Sequence, residues 1–232
     1  MKSLILKISI IVVIVFFVGL PLLLPRLITI KNVVCKTQYG SCSSEIEEAI
    51  AFGIKGKSLR QSKKAAAERI KGQFLIKDFS LQYQIPSLLR VNLIIRKPVF
   101  SLSSKKEQNS FALIDSDGYL LSTARTNNLP YLIVADTPLA IGEKLSPELI
   151  FASRLLLGIY RQYQIGWAEV EEGYFTSRLP NGIRIIAPLS GEEEVFLGSL
   201  SLIYSELNKE NKDSKIGRIS LIDLRFKNPI LK

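Results

Sequence analysis

Gln61–Ile95 reads QSKKAAAERIKGQFLIKDFSLQYQIPSLLRVNLII, and the character of the chain changes once inside it. Gln61–Lys71 is built from strong helix formers and ends on Gly72, a natural stop. From Phe74 the pattern alternates, so Phe74–Ile85 and Leu88–Ile95 read as two strands around a tight Pro86-Ser87 turn. Upstream, Leu27–Val34 (LITIKNVV) is a short strand, and Ser44 followed by Glu47 is a capping box that starts a helix over Glu45–Phe52. Gly53, Gly56 and Ser58 mark the loop before the second helix. The first domain, 27–98, is therefore expected to run β-α-α-β-β. A helix pair on one face of its sheet would bury Ile46, Ile50, Ile70, Phe79 and Val91.

Further toward the N-terminus, Ile8–Leu24 (ISIIVVIVFFVGLPLLL) is apolar apart from Ser9, Gly19 and Pro21. Extended from Ile8 back to Leu4, a helix of that length reaches about the 30 Å of a bilayer core, and Lys7 snorkels near its start. Residues 1–26 are expected to be a cytoplasmic tip and one transmembrane helix. The PLLLPR sequence at its end is a poor cleavage site. Lys2 and Lys7 stand against Arg26, Lys31 and Lys36, a nearly balanced charge count. The short N-terminal flank and the cysteines place the N-terminus in the cytoplasm and the bulk outside, as a single-pass protein of the cell membrane. Cys35 and Cys42 are the only cysteines and bracket KTQYGS. A hairpin-like loop at Tyr39-Gly40 brings them within bonding reach, so a disulfide and an oxidising exterior are expected; the other reading is two separate buried thiols.

Downstream, Lys97-Pro98 marks a boundary, and 99–232 reads as a second mixed domain with an antiparallel sheet and two helices. Its strands are expected at Val99–Ser103, Phe111–Ile114, Tyr119–Ser122, Trp167–Glu171, Tyr174–Leu179, Ile183–Ala187 and Gly217–Lys227. Ser146 caps a helix with Pro147 at its first position, and Glu192-Glu193-Glu194 begin another. The expected fold class is α+β throughout.

The formal net charge is +10, from 31 Lys and Arg against 21 Asp and Glu. That excess suits anionic lipid headgroups, anionic wall polymers or acidic partner proteins; nucleic acid is not expected outside the cytoplasm. The chain contains no histidine, which removes imidazole bases and His-type metal sites. What remains is weak. Ser103-Ser-Lys-Lys106 has Ser-x-x-Lys spacing but lies in a polar hairpin loop. Asp115-x-Asp117-Gly118 starts like a calcium loop, yet Thr126 stands where a bidentate Glu is needed. Glu169, Glu171 and Glu172 alternate along a strand with no sign of the apolar pocket that an acid/base carboxylate requires. Gly53-x-x-Gly56-Lys57-Ser58 is too short for a P-loop. No enzyme activity, cofactor, metal or small-molecule substrate is expected.

Taken in order, several segments resemble the FtsQ/DivIB family of bacterial cell-division proteins over nearly the whole chain. The β-α-α-β-β unit looks like a POTRA domain and runs into Arg96-Lys97-Pro98-Val99, similar to the family's ERxPV segment. Leu113-Ile114-Asp115-Ser116-Asp117-Gly118 is similar to its L(I/V)DxxG turn, Leu129-Pro130 to its LP segment, and Ile222-Asp223-Leu224-Arg225-Phe226 to its (I/V)DLR(Y/F) signature. Ile95 stands where the family has Glu, so no carboxylate role carries over to that position.

The resemblance implies a non-enzymatic, bitopic scaffold of the division machinery, enriched at the division site, that recruits FtsB/FtsL-like coiled-coil proteins. Arg96, Lys97 and Pro98 would close the POTRA-like domain. In the last strand Ile222, Leu224 and Phe226 share one face and Asp223, Arg225 and Lys227 the other. As an edge, that strand would accept a partner strand, with Ser220, Ile222, Asp223, Leu224, Arg225, Phe226 and Asn228 as the binding residues. The alternative is a POTRA-bearing secretion or assembly factor that holds client polypeptides, or, in a third class, a tethered wall hydrolase using carboxylates.

Overall fold

The computed structural model describes residues 28–106, 110–136, 140–210 and 219–232; these divide into one unit ending at Arg96 and another starting at Lys97. In the first unit the chain runs β1 (Asn32–Thr37), β2 (Gly40–Ser41), α1 (Ser44–Ala51), α2 (Leu59–Lys71), β3 (Ile76–Gln84) and β4 (Leu88–Ile95). Helix α2 presents Leu59, Ser62, Ala66 and Ile70 to the interior, a helical spacing. The one polar member, Ser62, donates its hydroxyl to the Ile54 carbonyl at 3.1 Å, so no buried donor is stranded. The capping box lies on this helix: Ser58 and Gln61 bond each other's backbone, while Ser43, the cap of α1, makes no side-chain bond.

The sheet order is β2-β1-β4-β3, with β1 and β4 parallel and the other pairs antiparallel. The two helices and β3 supply the crossover that a parallel pair needs. Leu89, Val91 and Leu93 alternate inward along β4 and meet Ile50, Ile54, Ile70 and Ile30. Of the residues expected in this core, Ile50, Ile70 and Val91 are buried and Ile46 and Phe79 pack partly against it. Cys35 on β1 and Cys42 after β2 are joined by a disulfide, Cα atoms 5.4 Å apart, across the turn at Gly40. Gly40 has φ +130°, a conformation that other residues rarely adopt.

The second unit contains β5 (Pro98–Ser104), β6 (Phe111–Asp115), β7 (Leu120–Ala124), β8 (Tyr131–Val134), α3 (Pro147–Tyr163), β9 (Trp167–Glu171), β10 (Tyr174–Arg178), β11 (Arg184–Pro188), α4 (Glu193–Glu210), β12 (Leu221–Asp223) and β13 (Ile230–Leu231). Its strands form one sheet in the order β13-β12-β11-β10-β9-β8-β5-β6-β7. Phe100, Leu102, Leu132, Ala168, Phe175, Ile185 and Ile222 point to one face, where Ala152, Leu155, Leu156 and Ile159 of α3 and Leu200 of α4 cover them. Where the helices meet, a Cβ on Gly158 would strike the Leu197 side chain, so the glycine sets how closely they approach. The Phe151–Phe196 and Tyr163–Tyr204 ring pairs, both edge-to-face, flank that contact.

The expected architecture needs correction here. The described residues hold four helices and two mixed sheets, of four and nine strands, and are mostly β. The second sheet is not antiparallel, because β5·β8, β8·β9 and β11·β12 are parallel. Helix α3 carries the chain from β8 to β9 and α4 carries it from β11 to β12, and each such crossover returns the next strand in the same direction. The sequence reading also passed over β8, which lies near the middle of the sheet. The transmembrane helix expected over 1–26 falls outside the described residues; among those described, no helix is long and apolar enough to cross a membrane.

Candidate partner-binding edge

Leu221–Asp223 is all that remains of the long last strand expected from Gly217 to Lys227, and it is not an edge. Gly217 and Arg218 lie outside the described residues. On one side β12 pairs in parallel with β11; on the other it pairs antiparallel with β13, Ile222 opposite Leu231 and Asp223 opposite Ile230. Ile222 and Leu224 belong to the core, and the Leu224 N–H donates to the Ile186 carbonyl at 2.7 Å. After Asp223 the regular pairing stops, so the two-residue period no longer governs which way side chains point. Phe226, expected on the buried face, is 53% exposed.

Asp223 causes that break. It is 5% exposed, and its carboxylate accepts the Arg225 backbone N–H at 3.1 Å, bending the chain over a two-residue turn. The same carboxylate takes a forked pair of bonds from the Arg225 guanidinium, Nε to Oδ1 at 2.9 Å and Nη2 to Oδ2 at 2.7 Å. These bonds, from the Arg225 side chain above all, hold the Asp223 carboxyl below the usual carboxylate range. The pinned guanidinium lies over two rings, 5.2 Å from the centroid of Tyr174 and 5.9 Å from that of Phe226. An aromatic–cation cluster thus stands next to the end of the sheet.

The edge on that side, among the described residues, is β13. Leu221 and Lys232 exchange two backbone bonds, at 3.0 and 3.1 Å. In an antiparallel ladder the residue next to such a pair turns its own N–H and C=O away. Leu231 therefore directs both groups to the open side. Ile230 and Leu231 are 38% and 43% exposed, so among the described residues a short, partly apolar edge with outward backbone groups ends the sheet, a few residues after Arg225 and Phe226 in the chain. The sequence signal for it was Asn228-Pro229, a turn pair, followed by two strand-forming residues.

The remaining expected residues separate. Ser220 donates its N–H to the Lys232 carbonyl at 2.6 Å and supports β13 from behind, while Asn228 lies exposed in the connection. Arg96 donates its backbone N–H to Leu75 and its Nε to Phe74, closing the first unit. Lys97 starts the second unit and Pro98 opens β5 opposite Asp115. Ile95, in place of the family Glu, is held through its backbone, which exchanges two bonds with the Gln38 side chain.

Nor do the chemical motifs converge. Ser103 is buried on β5, whereas Lys106 is paired with Asp136 at 2.7 Å. Asp115, also buried, accepts the N–H groups of Asp117 and Tyr119 at 2.9 and 2.8 Å, a turn and not a cation loop. Glu169 and Glu171 both grip Lys105, whose ammonium is held in its charged form well above its ordinary range by the bonds to Glu169 and then Glu171. Both carboxylates of that trio are engaged with one cation, not set apart as acid and base. Among the described residues, no group of three His, Cys, Asp or Glu side chains is placed to hold a metal ion. No protein-family model and no curated protein matches this chain.

Proposed function

We propose that this chain is a non-enzymatic docking scaffold of the bacterial division machinery, held at the cell membrane with its described units outside the cytoplasm. It takes small coiled-coil partners of the FtsB/FtsL type on its C-terminal edge. The observation that carries the reading is the outward backbone of Leu231 on the edge strand, which follows directly on the segment similar to the family signature. A partner strand adds there through main-chain bonds, with the half-exposed Ile230 and Leu231 side chains beside it. The Cys35–Cys42 disulfide supports the exterior location, because such bonds persist in oxidising compartments.

Leu231→Pro tests the reading, since it removes the outward N–H while leaving the β12 bonds of Lys232 in place. The expected result is a folded full-length chain that no longer captures the coiled-coil proteins in a pull-down and no longer gathers at septa as a fluorescent fusion. Undiminished capture by Leu231→Pro would refute edge docking. The rival reading, a secretion or assembly factor, is favoured by β3, a nine-residue strand that among the described residues is paired on one side only. That reading predicts uniform membrane fluorescence and cross-linking of client polypeptides to β3.

A further inference from the structure

The positive charge of the chain is not shared between its units. Residues 28–96 hold twelve lysines and arginines against five acids, whereas residues 97–232 hold sixteen of each. All the net charge of the described units thus sits in the first, and much of it gathers around one end. The α1–α2 loop carries Lys55 and Lys57, α2 continues with Arg60, Lys63 and Lys64, and all five side chains are exposed. That loop is tied to the start of the unit. Leu59 N–H donates to the Ile28 carbonyl at 2.8 Å, Gly56 N–H to Ile30 at 2.8 Å, and Ile30 N–H to Lys57 at 3.0 Å. The β3–β4 turn adjoins the same segment, since Lys31 and Asn32 both donate to the Ser87 carbonyl, at 3.0 and 3.3 Å.

The start of the loop and the adjoining turn carry the two most exposed large apolar side chains of the described residues. Phe52, opening the loop, is 89% exposed, and Ile85, in the turn, is 88% exposed. The Phe52 ring is supported by the Arg69 guanidinium, 5.9 Å from its centroid, and Arg69 is in turn anchored on the Ala49 carbonyl. Gly53 leaves the space that this guanidinium fills. An exposed Phe52 opening a lysine-bearing loop, an exposed Ile85 in the turn that adjoins Lys31, and a loop bonded to Ile28, four residues beyond the apolar run that ends at Leu24, match one surface. Apolar tips enter the headgroup layer and the surrounding ammonium groups meet lipid phosphates.

We propose that this end of the first unit docks on anionic phospholipid headgroups, with Phe52 and Ile85 inserted and Lys55, Lys57 and Arg60 as the charged contacts. The proposal rests on the membrane location given above but not on the division role or on the C-terminal edge. It would hold the first unit against the bilayer.

Because the two native cysteines are bonded to each other, a polarity-sensitive fluorophore at Phe52→Cys or Ile85→Cys in the full chain reports those positions alone. With vesicles of phosphatidylcholine containing phosphatidylglycerol, both labels should shift to the blue, and salt should reverse the shift. Phosphatidylcholine alone should leave them unchanged. Each basic residue at an anionic surface strengthens binding by about five-fold, so Lys55→Glu/Lys57→Glu should weaken the response by well over ten-fold. Lys36→Glu/Lys71→Glu, the same charge change elsewhere on the unit, should weaken it far less. Equal responses to both lipids, equal loss in both double variants, or a shift given by soluble poly(glycerol phosphate) and not by vesicles would overturn the proposal. Septal localisation of the same variants reports the division role separately.

Discussion

The two units solve the same problem, covering one face of a sheet with two helices, and differ in what they leave outside. In the first, the sheet is small, its parallel pair is closed by a disulfide-braced hairpin, and the exposed lysines of its loop have few acids nearby. In the second, nine strands supply a large core, and the prominent cations are spent internally: Lys105 on Glu169 and Glu171, Lys106 on Asp136, Arg225 on Asp223. A unit whose charges are paired with one another is suited to recognition by shape and backbone, while one with surplus charge of one sign is suited to a charged surface. That division of labour can be broken or sharpened piece by piece.

The largest effect is expected in the second core. Phe175 is wholly buried, so Phe175→Ala should destabilise that unit by about 3–5 kcal/mol. Calorimetry should show its transition falling while that of the first unit stays. The brace of the first unit comes next. Cys35→Ser/Cys42→Ser opens a short loop and should cost about 2–3 kcal/mol, lowering only the first transition; a reductant should do the same to the native chain. Gly158→Val should cost about 1–3 kcal/mol by pushing Leu197 off α3, and Leu197→Ala in the same chain should recover part of it.

Asp223 gives a pH signature. Its folded carboxyl titrates below the usual range, so it contributes stability above the unfolded value of about 4 and loses it as pH falls through the lower folded one. With Arg225 39% exposed, solvent screening keeps the neutral-pH contribution of the pair small. Asp223→Asn should remove it and flatten acid unfolding of the second unit alone. The smallest stability effect belongs to Phe226: Phe226→Ala should change melting by less than about 0.5 kcal/mol yet reduce partner capture. A multi-kilocalorie loss would mean that the ring is buried after all.

Local features were legible in the chain. The helix over Gln61–Lys71, the alternation in Leu88–Ile95, the Asp115–Gly118 turn and the Ser146-Pro147 helix start all rest on contacts within a few residues, and such contacts leave a pattern in neighbouring letters. The candidate edge was legible only in part. The alternation points to the strand at Leu221–Asp223, which is interior, and carries Ile222 and Leu224 on to Phe226, because nothing in a two-residue period records where pairing ends or which strand lies outermost. It also missed Tyr131–Val134, four residues too short to outweigh the surrounding turn-formers, though burial between neighbouring strands makes them central.

By itself the sequence determined which residues are apolar, that a helix starts at Ser146-Pro147, that only two cysteines exist to pair, and that no imidazole is present. Only the tertiary structure decided strand order: that α3 and α4 act as crossovers making the second sheet mixed, that β12 is interior, and that Ile230–Leu231 takes the edge. Period and capping are set by near neighbours, but an edge is defined by what does not pair with it, and that depends on every other strand in the sheet.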